Sequence, residues 1–276
     1  MSTNRSCSLP DLPRSGLKFP NSPIVAAALA YLKQHTTEPV YNHSVRSAYW
    51  ALLLAKKLPE FSRILSSSPP SAPSSEQPSL NLETVVLANV LHDMGWAYTA
   101  EVLSKDKRFE VDGANIASAF VRRYASEGSE GGDRWDTSRI QLLWESIALH
   151  TTGSIAPHHP APEIPLAHLG VMTDFMGPLF PPGDGVVITE DEYRDVLSHF
   201  PLAGFTTEGC KAIMCGLCRD KPESTFDNFV SGFGVRFGID GKGKGRDEYR
   251  RAREQQEFAT KMLAGLEYLE NLLKEG

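Results

Sequence analysis

The spacing of apolar residues along the chain is that of helices, and the alternation typical of β-strands is nearly absent. From Ser22 to Leu58, apolar residues recur at intervals of three and four positions. Within this stretch, the run YNHSVRSAYWALLLAKKL is apolar over most of its helical circumference. A helix with that distribution is buried on several sides. We therefore predict an all-α fold, a helical bundle in which this helix is buried.

The same periodicity predicts further helices in the rest of the chain. Thr189 has the character of an N-cap for the segment EDEYRDVLSHF. A last helix would place Phe258, Met262, Leu266, Leu269 and Leu273 on one apolar face, which is typical of a core or dimer contact. The other predicted helices cover residues 82–94, 113–124, 138–150, 165–175 and 208–217.

Two segments rich in proline and serine interrupt this helical pattern. Residues 1–21 contain no apolar stretch of the kind found in secretory signals, and we predict that they form a flexible lead-in. Residues 66–79 predict a solvated loop inside the bundle, because the helices on both sides are too apolar to be soluble alone. We expect residues 22–276 to form a single helical domain.

Composition narrows the class of partner. The 276 residues carry 28 Lys and Arg against 34 Asp and Glu, a net charge of −6. An acidic chain with scattered lysines argues against nucleic acid, and no stretch approaches the ~20 apolar residues of a membrane span. Four cysteines, Cys7, Cys210, Cys215 and Cys218, are too few for a disulfide framework. We expect a cytoplasmic protein with a small-molecule substrate and with no nucleic acid or membrane partner. The sequence does not decide whether the protein forms a homo-oligomer.

Ionisable residues interrupt the most apolar predicted helices. His43 lies in YNHSVRSAYWALLL, His92 and Asp93 follow VVLANVL, and Asp174 follows LAHLGVMT. Leaving such groups unpaired among apolar side chains costs on the order of several kcal/mol, and either a metal or a satisfied hydrogen-bond network removes that cost. Two imidazoles and two carboxylates would neutralise one divalent cation. Mixed nitrogen and oxygen ligands suit Zn²⁺, Fe²⁺ or Mn²⁺ better than Ca²⁺.

The order of these residues, H…HD…D, resembles the HD superfamily of metal-dependent hydrolases. His43, His92, Asp93 and Asp174 stand at the matching positions, and HDMG is the central signature. The resemblance spans residues 22–235 and implies an HD-domain helical bundle in which these four residues hold one metal ion and a bound water. Zn²⁺ and Fe²⁺ are the favoured ions, with Mn²⁺ as a further candidate.

Within that superfamily, the chain is most similar to the fungal cyanamide hydratase type. The segments that carry this likeness are NHSVRSAYWALLLA, VVLANVLHDMGW, RFEVDGA and ESIALHTTG. Such relatives add water across a nitrile carbon and give urea. The chain departs from them in its Pro/Ser loop and in the segment WAYTAEVLSKDKRFEVDG, both expected to border the pocket.

The resemblance also points to residues that would move protons. Glu110 stands where relatives place an acidic residue shortly after the HD helix, with Asp112 as the weaker alternative. His150 closes the segment ESIALH and is a candidate to add a ligand or to donate a proton. Sequence adjacency to the ligands makes three aromatic residues candidates for the pocket lining: Trp96, Tyr98 and Phe175.

Two other functions stay open on the same residues. Phosphohydrolysis of a nucleotide or another phosphate ester is the more widespread chemistry of the superfamily, and it needs cations around the phosphate. The cations that follow the HD helix in the sequence are Lys105, Lys107, Arg108, Arg122 and Arg123. The second alternative is a catalytically silent helical binding protein with a structural metal. Because no evident Arg/Lys cluster adjoins the HD pair, we favour a small neutral substrate, with a nitrile first.

Three other motifs have simpler interpretations. The pair Cys215 and Cys218 lacks the second CxxC of a zinc site, which favours buried helical cysteines. His158 and His159 lie in a Pro-rich loop, where a second ion is the minor alternative. The segment GKGKGR lacks the spacing of a phosphate-binding loop and predicts a flexible turn.

Overall fold

The computed structural model of the chain describes residues 9–12, 15–66, 79–178, 180 and 187–274. Within these ranges the regular structure is helical, with an isolated β-bridge between Leu12 and Leu17. The predicted all-α fold is confirmed. Cys7 and most of the Pro/Ser loop lie outside the described residues, so the prediction of a solvated loop stays a prediction.

Backbone contacts divide the chain into two compact units, the first of which comprises Met1–Leu103 and Phe109–Gly204. Its helix boundaries lie close to those that the apolar spacing predicts, and the predicted cap at Thr189 is present as a capping box with Glu192. The helices are α1 (Pro23–His35), α2 (Glu38–Lys57), α3 (Pro59–Ser66), α4 (Leu82–Leu91), α5 (Phe109–Ser126), α6 (Thr137–Ala148), α7 (Glu163–Met176) and α8 (Glu190–His199).

Helix α2 is the most buried helix of this unit. Every residue from Asn42 to Ala55 is buried, as the apolar circumference of the segment predicts. It packs against α4 and α7, and the approach of α7 depends on a glycine. A Cβ atom at Gly170 would lie 2.6 Å from the carbonyl oxygen of Ser47 and 2.8 Å from Cβ of Ala51. Since backbone cannot yield as a side chain can, only glycine fits at this helix crossing.

Replacing Gly170 with alanine is therefore expected to destabilise the first unit. Forcing a methyl group between α2 and α7 should cost about 1–3 kcal/mol of unfolding free energy, as overpacked cores do. Urea denaturation measures the change. Gly153→Ala is the matched control, because its Cβ would meet only ordinary contacts at 3.6 Å. Equal stability of the two variants would contradict the close approach of the helices.

The described part of the N-terminal segment packs on the helices, so the prediction of a flexible lead-in fails there. Leu9, Leu12, Leu17 and Phe19 are buried in the hydrophobic core. The hydroxyl of Tyr49 on α2 donates a hydrogen bond of 2.7 Å to the carbonyl of Pro10. The Pro and Ser content of residues 1–21 suggested flexibility, but the few large apolar side chains between them are enough to dock the segment.

The second unit comprises Ser104–Arg108 and Phe205–Gly276. The prediction that residues 22–276 form a single domain stays a prediction. Its helices are α9 (Thr207–Asp220), α10 (Ser231–Phe237), α11 (Arg246–Gln255) and α12 (Phe258–Lys274).

Three sequence interpretations fall in this unit. Cys215 and Cys218 are buried in α9, as predicted. The GKGKGR segment forms a defined turn, because the carboxylate of Asp240 accepts hydrogen bonds from the backbone N–H groups of Lys242 and Lys244. The apolar face of α12 is exposed along its length. Among the described residues, none of the helices combines the length and apolar character needed to cross a bilayer.

Candidate metal centre

The HD pair lies where α4 gives way to a tighter turn. The α-helix ends at Leu91, and His92–Trp96 form a 3₁₀ turn in which Asp93 has φ −96° and ψ 21°. Gly95 is needed here for close packing, since a Cβ atom at this position would lie 2.1 Å from the carbonyl oxygen of Phe109 at the start of α5. The glycine of HDMG thus lets α5 approach the HD pair.

Three side chains meet at this turn. Nε2 of His43 lies 3.2 Å from Nε2 of His92, and both nitrogens face Oδ2 of Asp93, at 3.3 and 3.0 Å respectively. All three side chains are buried. Among the described residues, these three form the group of potential ligands whose donor atoms lie within 4.8 Å of one another.

The donor atoms fit a divalent ion. Nitrogen and oxygen ligands about 2.0–2.2 Å from a common ion lie roughly 2.8–3.6 Å apart, which is the spacing of these three atoms. Both carboxylate oxygens of Asp93 are buried without a hydrogen-bond partner in the described part of the chain. Burial raises the pKa of Asp93, but the His92 and His43 imidazoles outweigh it and hold the pKa below its ordinary value. A buried, ionised carboxylate without hydrogen bonds is best satisfied by a cation.

Hydrogen bonds at Nδ1 fix the orientation of the imidazoles. Nδ1 of His92 lies 2.7 Å from the carbonyl oxygen of Asn89, and Nδ1 of His43 lies 2.6 Å from Oδ2 of Asp174. Because a carbonyl oxygen only accepts, Nδ1 of His92 carries a proton, so the neutral imidazole would present the lone pair of Nε2 to an ion. This is the arrangement of metal-binding histidines in proteins.

Asp174, the fourth predicted ligand, lies behind His43 and outside the group of three. Its oxygens accept hydrogen bonds from Arg46, Trp50 and His43 at 2.6–2.8 Å. The guanidinium of Arg46 and the imidazole of His43 outweigh the effect of burial and lower the pKa of Asp174 to about 2. The sequence predicts Asp174 as a metal ligand, whereas the structure places its carboxylate on Nδ1 of His43 and outside the group of three potential ligands.

Of the two predicted proton-transfer residues, His150 lies beside the group, and the charge of Glu110 acts on His150. Nε2 of His150 lies 3.9 Å from Oδ1 of Asp93, and its Nδ1 lies 2.6 Å from the carbonyl oxygen of Ile147. Burial lowers the pKa of His150 to about 4, so its imidazole is neutral. Glu110 is fully buried in the first turn of α5 and accepts a hydrogen bond from the hydroxyl of Thr151.

Aromatic rings surround these side chains. The ring of Phe175 meets that of His43 edge-on at 5.0 Å, and the ring of Trp96 lies parallel to it at 6.3 Å. Tyr98, the third predicted lining residue, is 63% exposed, and its hydroxyl donates to the carbonyl of Gln34 on α1. Its position in the sequence was misleading because the chain turns away from the site after Trp96.

Sequence reasoning missed three residues of this region. Arg46 and Trp50 on α2 bind Asp174, and His168 on α7 is buried with Nδ1 2.6 Å from the carbonyl oxygen of His150. A signal for Arg46 was present, since an arginine in a helix buried on all sides needs a buried counter-charge. His158 is exposed and His159 is half-buried, and both lie outside the group of potential ligands.

Comparison with known families agrees with this geometry. Residues 40–171 match the family model of the HD domain. The chain carries an HD domain. The match includes His43, both residues of the HD pair and His150, and HD domains are generally those of metal-dependent hydrolases. A search of the curated proteins finds no match.

Proposed function

We propose that this HD domain is a metal-dependent enzyme that uses activated water on a small neutral substrate, with hydration of cyanamide or another nitrile as the favoured reaction. Zn²⁺ and Fe²⁺ are the proposed ions, because two imidazoles and one carboxylate suit both. The observation that carries the proposal is the buried group of His43, His92 and Asp93, whose donor atoms converge at 3.0–3.3 Å.

The number of ligands favours a catalytic role over a structural one. Structural zinc sites are closed by four protein ligands, whereas catalytic sites keep three and leave a position for water or substrate. In the described part of the chain, the group contains three residues. A catalytically silent protein with a structural metal is therefore the weaker alternative.

The charges near the site favour a neutral substrate. A phosphate needs free cations, but the guanidinium of the buried Arg46 is occupied by Asp174 and by the carbonyls of Phe200 and Pro201. Arg122 and Arg123 are exposed and lie about 18 Å further along α5 than Glu110.

The protein groups beside the ligands supply proton transfer. A bound divalent ion lowers the pKa of its water from ~15.7 to about 7. The neutral His150 has the free Nε2 of a base, 3.9 Å from Asp93, and the buried Glu110 adds a carboxylate whose charge acts on that imidazole. In nitrile hydration, the water oxygen bonds to the nitrile carbon and both its protons end on the nitrile nitrogen. His150 and Glu110 are the groups proposed to carry them.

Removing either proton-transfer residue is expected to slow turnover while the metal stays bound. His150→Ala and Glu110→Gln should each lower kcat by about 10²–10⁴, the usual contribution of a positioned acid or base. Steady-state kinetics and elemental analysis of the same samples measure the two quantities. His199→Ala, at an exposed position, is the control. Loss of metal in step with activity would instead make the residue a ligand.

A substrate panel tests the proposed reaction. Protein loaded with Zn²⁺ or Fe²⁺ is incubated with cyanamide, small nitriles and nucleoside monophosphates, and amide or urea formation and phosphate release are measured. Turnover of cyanamide or a nitrile is the expected result. Phosphate release from the nucleotides without nitrile turnover would reject the proposal in favour of phosphohydrolysis.

A further inference from the structure

The surroundings of Asp174 assign roles to two residues of α2 that lie one and two turns beyond His43. Arg46 and Trp50 share a face of α2 with His43, at i+3 and i+7. Both side chains are fully buried, and both donate to the carboxylate of Asp174 near the end of α7. One face of α2 thus carries the proposed ligand His43 together with the two residues that hydrogen-bond to Asp174.

All acceptor positions of the Asp174 carboxylate are occupied. Oδ1 accepts from Nε of Arg46 and Nε1 of Trp50, both at 2.8 Å. Oδ2 accepts from Nη2 of Arg46 at 2.8 Å and faces Nδ1 of His43 at 2.6 Å. A carboxylate has about four lone-pair positions, so these four contacts leave none for an ion.

The remaining contacts hold this arrangement in place. Nη1 of Arg46 donates to the carbonyls of Pro201 and Phe200, so all three nitrogens of the guanidinium are hydrogen-bonded. The ring of Trp50 stacks on that of Tyr193 at 4.4 Å with an interplanar angle of 6°. Neither donor can turn away from the carboxylate without losing these partners.

We propose that Arg46 and Trp50 are positioning residues of the metal centre, which hold Asp174 against Nδ1 of His43 so that Asp174 orients a ligand instead of being one. The inference rests on the proposed metal site and specifies its ligands. With Nδ1 of His43 on Asp174, its Nε2 lies 3.3 Å from Oδ2 of Asp93 and is the nitrogen directed at the other two ligands. The centre then has His43, His92 and Asp93 as its protein ligands.

Metal affinity and coordination can be measured separately from activity. The full chain is freed of metal with a chelator and titrated with Co²⁺, whose visible spectrum reports the coordination and whose binding curve gives Kd. Trp50→Phe removes one hydrogen bond to Asp174 and is expected to weaken Co²⁺ binding by about 10–100-fold with the spectrum of the wild type, as loss of a partner behind a ligand does. Asp174→Asn should behave in the same way.

The matched control is Trp144→Phe, which removes an indole hydrogen bond to Asn115 at the surface of the same unit. It should leave Co²⁺ affinity unchanged. Equal affinities for Trp50→Phe and Trp144→Phe would overturn the positioning role, as would a changed spectrum or complete loss of binding in a folded Asp174→Asn. If the wild-type chain binds none of Co²⁺, Zn²⁺ and Fe²⁺, the proposed function falls as well.

Discussion

Asp93→Asn is expected to release the bound ion without unfolding the protein. Asp93 supplies the only carboxylate of the proposed ligand set, and its oxygens lack hydrogen bonds in the described part of the chain. Complete zinc sites contribute on the order of 10–16 kcal/mol, so the loss of one of three ligands should weaken binding by about 10²–10⁴-fold. Elemental analysis should fall from about one ion per chain to a trace, and turnover should fall with it.

The stability of the metal-free variant makes this prediction more specific. The imidazoles of His43 and His92 hold the pKa of Asp93 below its ordinary value, so the charged carboxylate contributes to the stability of the metal-free fold. Metal-free Asp93→Asn should therefore lose that contribution in urea but stay folded, because asparagine has nearly the same volume. Asp133→Asn, at an exposed position, should keep both metal and activity. An Asp93→Asn protein that retains its full metal content would contradict the assignment of Asp93 as a ligand.

Arg46→Ala is expected to cause the largest loss of stability in the first unit. The guanidinium and the carboxylate of Asp174 form a fully buried ion pair at 2.8 Å. Removing one partner leaves an uncompensated charge, which typically costs about 3–5 kcal/mol of unfolding free energy. Urea denaturation with a chelator present measures this cost without the contribution of metal binding.

Two comparisons separate the ion pair from other effects of the substitution. Arg194→Ala breaks a pair with Glu190 in which both side chains are about three-quarters exposed, and it should change stability by less than about 1 kcal/mol. The double variant Arg46→Met with Asp174→Leu removes both charges and should recover most of the stability that Arg46→Ala loses. If Arg46→Ala is as stable as Arg194→Ala, the buried pair has been misassigned.

Much of the site could be predicted from the sequence because its members interrupt very apolar helices. His43, His92 and Asp93 each stand in a run of large apolar residues, and burial of those runs forces the ionisable groups toward one another. The structure brings these three together. The contacts of Asp174 with Arg46, Trp50 and Nδ1 of His43 could not be predicted in the same way, because they depend on which face of α2 packs against α7.

The rest of the fold depended on packing that periodicity does not encode. The N-terminal segment docks through four apolar side chains that its Pro and Ser content concealed. The pairing of Arg46 with Asp174 is an exception, because it could have been predicted from the sequence. An arginine in a wholly buried helix requires a buried counter-charge, and Asp174 follows another very apolar helix.

X-ray absorption spectroscopy of the Zn²⁺-loaded full chain tests the metal centre most directly. The account predicts nitrogen and oxygen scatterers at about 2.0–2.2 Å, with the multiple scattering of two imidazoles and no sulfur. Sulfur at about 2.3 Å would place the ion on cysteines such as Cys215 and Cys218, away from His43, His92 and Asp93. That result, or a spectrum without imidazole, would contradict the proposed site.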